Sequence, residues 1–391
     1  MKYVVIGGAG AMGQIAVRDL FEFAAPDDQI VIADFNADKA GQIASAYKDP
    51  RVLAEFVDVR DIPASAKILS GAAVALNCLQ HDFNLLVMEA ALQAGCHYLD
   101  LGGLFHFTRK QLALHDRFRA AGRLAVLGMG AAPGITNLLA RMGADELDTV
   151  REIHCRVAGI DRTKYGDLPA LPVSYSLQTI MEEFSMEPAV FTKGKLTFVS
   201  PMSGQKPMRF PPPIGVQSPM YTIHSELATL PDSFADKGVQ EVSFKIAFPP
   251  DFLQKIRFLR DLGLASHDAL QIGDAKISPL QLLAKVAAQQ NPAKRIGKLN
   301  QYEIVRAIVK GTKGKKKLTL ILDCHTAGHP KWDLGSDINT GCPPAIVARM
   351  ITSGEIAGAG VFAPEQIVPA KPFFAQLKKR RFTLKILRKN D

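Results

Sequence analysis

No apolar run in this sequence approaches the ~20 residues needed to cross a bilayer, so no membrane-spanning helix is expected. The opening MKYVVIGG has one Lys and a short apolar run that passes straight into glycine. It lacks the longer apolar segment and small-residue cleavage site of a secretory leader, and a cytoplasmic protein is expected. Cysteine is sparse. Cys78, Cys96, Cys155, Cys324 and Cys342 are scattered, odd in number and form no CxxC pair. That argues against a disulfide framework and a Cys-based zinc site. No aromatic stacking motif accompanies the basic runs KGTKGKKK (310–317) and LKKRRFTLKILRK (377–389), so the net charge of +9 reads as solvated surface rather than nucleic-acid binding. The first run reads as a hairpin turn, the second as a helix end followed by a tail. Repeats and low-complexity segments are absent.

What is present is the composition of a globular chain, 47% hydrophobic and 22% charged over 391 residues, too long for one core. Over the first 130 residues short β-type runs alternate with helical stretches, which implies a parallel sheet covered by helices on both faces. After Gly134 longer strand-like runs and proline-rich connections predominate, suggesting an α+β domain around a mixed or antiparallel sheet. PPAIVARMITSG (343–354) reads as a helix with prolines at its start and glycine at its end. The expected division is 1–130, 131–338 and 339–391, with the last segment returning in helical form to the first domain.

VVIGGAGAMG (4–13) concentrates glycine where a strand meets a helix. In this context GxGxxG is a dinucleotide fingerprint. Gly8 permits the turn, Gly10 lets backbone approach a pyrophosphate, and Gly13 lets the helix lie against the strand. Ala11 and Met12 open the helix whose free amides face the phosphates. Asp34, ending QIVIAD, stands where an acid takes the ribose hydroxyls. With no arginine adjacent in sequence, NAD is expected over NADP. Asp58 and Val59 end the third strand and are expected beside the adenine; Asn77, Cys78 and Leu79 end the fourth and are expected beside the nicotinamide ribose.

Five stretches, GGAGAMG, HYLDLGG (97–103), GMGAAPGITNLLA (128–140), LQTIMEEFSMEPAVFTKGK (177–195) and GVFAPEQIVP (360–369), resemble the saccharopine dehydrogenase family, nearest in motif to its lysine 6-dehydrogenase branch. The resemblance implies an α/β Rossmann fold, doubly wound, with an inserted α+β substrate and dimerisation domain. It also implies a homodimer or higher homo-oligomer, and hydride transfer between a CH–NH group and nicotinamide with imine hydrolysis. The substrate would be an amino acid or a polyamine, the latter as in carboxynorspermidine dehydrogenase; a non-catalytic dinucleotide-binding module is the alternative class. On this reading Asp100 handles the amine, with Tyr98 on the same strand face and His224 from the second domain as further acid–base candidates. Gly102 and Gly103 approach substrate. The Gly134–Thr136–Asn137 turn offers amides to a carboxylate, and Arg162, beside Lys164, is a possible carboxylate partner. The resemblance calls for no metal, and CHTAGHPKWD (324–333), with one Cys and two His, lacks an evident fourth ligand.

Overall fold

In the computed structural model, which describes residues 1–173, 175–291 and 293–390, the early apolar runs become six strands. They are β1 (Lys2–Ile6), β2 (Gln29–Asp34), β3 (Val52–Phe56), β4 (Val74–Asn77), β5 (His97–Asp100) and β6 (Leu124–Val126). A seventh strand, Gly360–Phe362, arrives from far along the chain and pairs with β6. The order is 360–362, β6, β5, β4, β1, β2, β3, all parallel. The strands read as unbroken apolar runs because both faces are buried. Tyr3, Val5, Leu76 and Leu99 enter one core, and Val4, Ile6, Ala75 and Tyr98 enter the other. Strand order reverses between β1 and β4, which opens a crevice beyond their carboxyl ends.

The second lobe is a mixed sheet, ordered Thr383–Asn390, Lys316–Thr326, Gln301–Lys313, Thr149–Asp161, Glu241–Ile246, Ala189–Thr192, Lys195–Phe198. Only the pairing of 149–161 with 241–246 is parallel. KGTKGKKK forms the expected hairpin turn, with Gly314 at φ 56°. Two expectations about the C-terminus are corrected. The residues after the helix Ala370–Lys379 are not a tail: Thr383–Asn390 is an edge strand of the second sheet. Its apolar residues Leu384 and Ile386 alternate along the strand and are half-buried, but lysine and arginine hide that period in the sequence. The helix of the PPAIVARM segment starts at Ile338, so both prolines lie inside it.

The two lobes are held together at the C-terminus. Fully buried Arg380 donates from Nε and a terminal nitrogen to Asp19 at 2.5 and 2.6 Å, with its guanidinium 3.7 Å from the Phe23 ring centre. Asp19 and Phe23 lie on the first helix, α1 (Ala11–Phe23). Among the described residues no helix is long and apolar enough to cross a membrane.

Candidate active site

The glycine turn is shaped for a diphosphate. A Cβ on Gly13 would overlap the Gly7 carbonyl oxygen, and one on Gly8 would come 2.8 Å from the Val5 oxygen. Backbone therefore packs on backbone, and the first-turn amides of α1 have no intrahelical acceptor. The residues present fit a dinucleotide. Asp34 Oδ2 accepts from the Ala9 N–H (3.0 Å) and Oδ1 from the Asn36 N–H (2.9 Å), which fixes the carboxylate at the β2 tip. Asp58 is held bidentately by Arg60 (2.6 and 2.7 Å), whose guanidinium lies 5.5 Å from the Phe35 ring centre. Val59 is buried in the core.

At β4 and β5 the expected site residues are buried and hydrogen-bonded within the protein. Asp100 is buried and accepts four hydrogen bonds. Gly102 N–H (2.9 Å) and Gly128 N–H (2.7 Å) reach Oδ1; Tyr98 hydroxyl (3.0 Å) and Gln111 Nε2 (2.5 Å) reach Oδ2. Burial raises its pKa, and the four donors oppose that rise. Its lone pairs are directed at the protein, so the carboxylate fastens the DLGG loop to the GMG turn. Tyr98 is likewise enclosed, accepting from Asn77 Nδ2 (3.2 Å), with its hydroxyl pKa driven well up by burial. Asn77 Nδ2 also donates to Asn84 (2.9 Å), so this amide is turned inward and not towards a ribose. Burial pushes the Cys78 thiol up to about 12, and Leu79 packs over Gly7.

The second glycine turn contrasts with the first. Its amides are already used: Gly134 N–H donates to Asn137 Oδ1 (3.0 Å), Ile135 N–H to Gly130 O (2.9 Å) and Thr136 N–H to Ala131 O (3.2 Å). They leave no three-amide cradle for a substrate carboxylate. Instead the side chains position two buried acids. Thr136 Oγ1 donates to Glu226 Oε1 (2.6 Å), and Asn137 Nδ2 donates to Glu365 Oε2 (2.8 Å).

Glu226 leads to His224. The imidazole stacks on Phe244 with centres 3.7 Å apart, and its Nδ1 meets Glu226 Oε2 at 2.5 Å. That leaves Nε2 free of hydrogen bonds among the described residues. Burial works to lower the His224 pKa, but the charges of Glu226 and Glu183 outweigh it, and the net shift is upward. Ser225, next in the chain, accepts weakly from Gly103 N–H (3.4 Å), which places His224 close to the DLGG loop. Glu183 ends the helix Leu177–Glu183 and accepts from the Tyr175 hydroxyl (2.7 Å). Burial, aided by Glu182 and Glu226, brings its pKa to about 7. The Tyr175 hydroxyl also feels Glu303, whose pKa burial and Asp337 bring to about 7. Asp337 itself stands at about 6 through burial and the charge of Asp161. Acids thus run from the His224 side of the cleft to the helix that opens at Ile338, whose Gly341 rests on Met12 and Ile15 of α1.

Arg162 is not part of this arrangement. It is exposed and donates to the Pro213 carbonyl (3.2 Å). Cys324 is buried in the core and adjacent His325 faces the other side of its strand, while His329 stacks on Trp332 at 4.1 Å. Glu183, Glu226, Glu303, Asp337 and Arg60 were not singled out in the sequence. The doubled glutamate ending LQTIMEE was the available signal, since an apolar helix seldom ends in two buried acids.

This is the architecture of a nicotinamide-dinucleotide oxidoreductase, with a Rossmann crevice faced by a second lobe that carries His224 and several acids. Family models place it further. The saccharopine dehydrogenase NADP binding domain matches residues 3–126 and the saccharopine dehydrogenase C-terminal domain residues 130–382; the chain belongs to the saccharopine dehydrogenase family. It is 26% identical to a carboxyaminopropylagmatine dehydrogenase from Synechocystis, over 96% of this chain and 95% of that protein. It is 24% identical to a carboxynorspermidine synthase from Vibrio cholerae, over 93% and 91%. Apo saccharopine dehydrogenase (L-Glu forming) from Saccharomyces cerevisiae shares the fold, with TM-score 0.74, 17% identity and 99% coverage of both chains.

Proposed function

We propose that this protein is an NADP(H)-dependent reductase of imines formed between a polycationic amine and an amino-acid aldehyde. The observation that carries the reading is the group of carboxylates Glu226, Glu183, Glu303 and Asp337 that lies between His224 and the helix opening at Ile338. Glu183, Glu303 and Asp337, whose pKa values burial and neighbouring acids raise, are relieved when a chain of ammonium groups enters among them. Lysine, whose two ammonium groups are partly offset by its own carboxylate, would leave most of them uncompensated. The two polyamine-named relatives, each covered nearly end to end, support the same substrate class.

Bound NADPH supplies hydride to the imine carbon. His224, whose pKa is raised by contact with Glu226 and by the charge of Glu183, gives a proton to the imine nitrogen, and a secondary amine results. Glu183 and the acids beyond Tyr175 hold the rest of the amine. Asp100 is a positioning residue that sets the backbone of Gly102 and Gly128 against the reacting groups.

The expectation of NAD rested on the absence of an arginine next to Asp34. The fold brings Arg60 to the face of Phe35, and Asp34 spends lone pairs on Ala9 and Asn36. Both features support NADP, with Arg60 released from Asp58 to meet the 2′-phosphate. Arg60→Ala should raise KM for NADPH by about tenfold and leave that for NADH unchanged. Equal effects on both would remove Arg60 from cofactor selection.

NADPH consumption with an amino-acid aldehyde plus agmatine, 1,3-diaminopropane or putrescine tests the function. Turnover should require both partners. Faster oxidation of lysine or saccharopine by NAD would replace this reading with the lysine-type one. Nucleotide binding with no turnover on any substrate would favour a non-catalytic module.

A further inference from the structure

One cluster outside these assignments joins the lobes at the rim of the cleft. His81 and Asp82 occupy a 3-10 turn after β4, and Glu182 lies in the second-lobe helix Leu177–Glu183. His81 Nε2 stands 3.2 Å from Glu182 Oε2 and 3.4 Å from Asp82 Oδ1. The three atoms all lie within 4.8 Å of one another. Neighbouring ligands on a tetrahedral zinc ion, with bonds of about 2.0–2.1 Å, are about 3.3 Å apart.

The cluster is also short of hydrogen bonds. Glu182 is 4% exposed, and its Oε2 accepts none. A buried carboxylate oxygen without a donor is costly. The other oxygen is held from outside: Oε1 accepts from Gln178 Nε2 (3.2 Å) and lies 2.9 Å from His267 Nε2. Gln178 Nε2 also donates to Asp82 Oδ2 (2.7 Å). The His81 ring is braced edge-on by Phe107, centres 4.7 Å apart. Outer groups commonly fix metal-binding carboxylates and imidazoles in this way. Two carboxylates and a neutral imidazole balance a dication, and the buried nitrogen donor favours a transition metal over magnesium or calcium. Asp82 and His267, 40% and 61% exposed, leave an entry path.

We propose that His81, Asp82 and Glu182 bind one divalent transition-metal ion, best matched by zinc, which clasps the nucleotide lobe to the second lobe. His267 and Gln178 are positioning residues that hold the ligand carboxylates. The site abuts the His224 cluster, since Glu182 precedes Glu183, but it shares no ligand with that cluster, and its occupancy does not depend on which amine is reduced.

The test uses chelator-stripped full-length protein titrated with zinc against a chromophoric indicator, and with cobalt for the visible bands of a four-coordinate site. Wild type should take up one zinc per chain. His81→Ala and Glu182→Gln should each weaken uptake by about tenfold or more, and His267→Ala by less. Melting temperature and NADPH binding of the stripped variants report folding. Should His81→Ala fail to fold, the nearly isosteric Glu182→Gln carries the test. Stoichiometry well below one, or folded variants that bind zinc like wild type, would overturn the site. So would agmatine uptake sensitive to Glu182→Gln in a protein that ignores zinc.

Discussion

Individual carboxylates in this cleft differ in what surrounds them, and their chemistry follows. Glu183 titrates at about 7, raised by burial and by its acidic neighbours. Its anion is needed to hold an ammonium group, so KM for the amine should rise as pH falls through about 7. On the alkaline side kcat should fall as His224, whose pKa is raised, loses its proton. Glu226→Gln removes the nearest charge supporting that proton and should move the alkaline limb to lower pH. A pH profile of kcat and KM for wild type and this variant checks both limbs. Asp100 behaves differently. Asparagine there would turn an NH2 towards groups that now donate, at a cost of about 1–3 kcal/mol. Asp100→Asn should therefore melt earlier and bind NADPH more weakly, as well as turn over more slowly. Full stability with turnover alone lost would return Asp100 to the proton chemistry. The sequence placed Asp100 at a strand tip facing the crevice, and that placement holds. Its four donors come from residues 98, 102, 111 and 128, and no local pattern shows such a convergence.

Secondary-structure elements were legible where their signal is local. The glycine turn, β1 to β6 and the 301–326 hairpin follow from period, glycine placement and length. The doubled acid of LQTIMEE marks an unusual helix end, but its partners His224 and Tyr175 reach it only in the folded chain. The same holds for the contact between α1 and Arg380, just past the helix Ala370–Lys379. Arg380 and Asp19 are both fully buried and 361 positions apart. Removing one member leaves an uncompensated buried charge, so Arg380→Ala should cost about 3–5 kcal/mol. A paired Asp19→Leu, Arg380→Met exchange should recover most of that loss. Denaturant melts of the single and double variants give the comparison.

The whole molecule closes on itself late in its sequence. The first sheet gains its edge strand at 360–362 and the second at 383–390. Truncation after Phe382 should expose the edge of the strand Lys316–Thr326, lower the melting temperature and promote association through the unpaired edge. Light scattering and thermal melts of the truncated chain check this. If it stayed monodisperse with an unchanged melting temperature, the final strand would be dispensable to the sheet. During synthesis, neither half can reach its finished form until the closing residues have cleared the ribosome. A nascent chain halted before Gly360 would carry a nucleotide lobe missing one border and a partner lobe missing another. Quality control would then meet two open edges in the same nascent chain, and a bulky group joined directly after the strand Thr383–Asn390 would load the element on which completion depends.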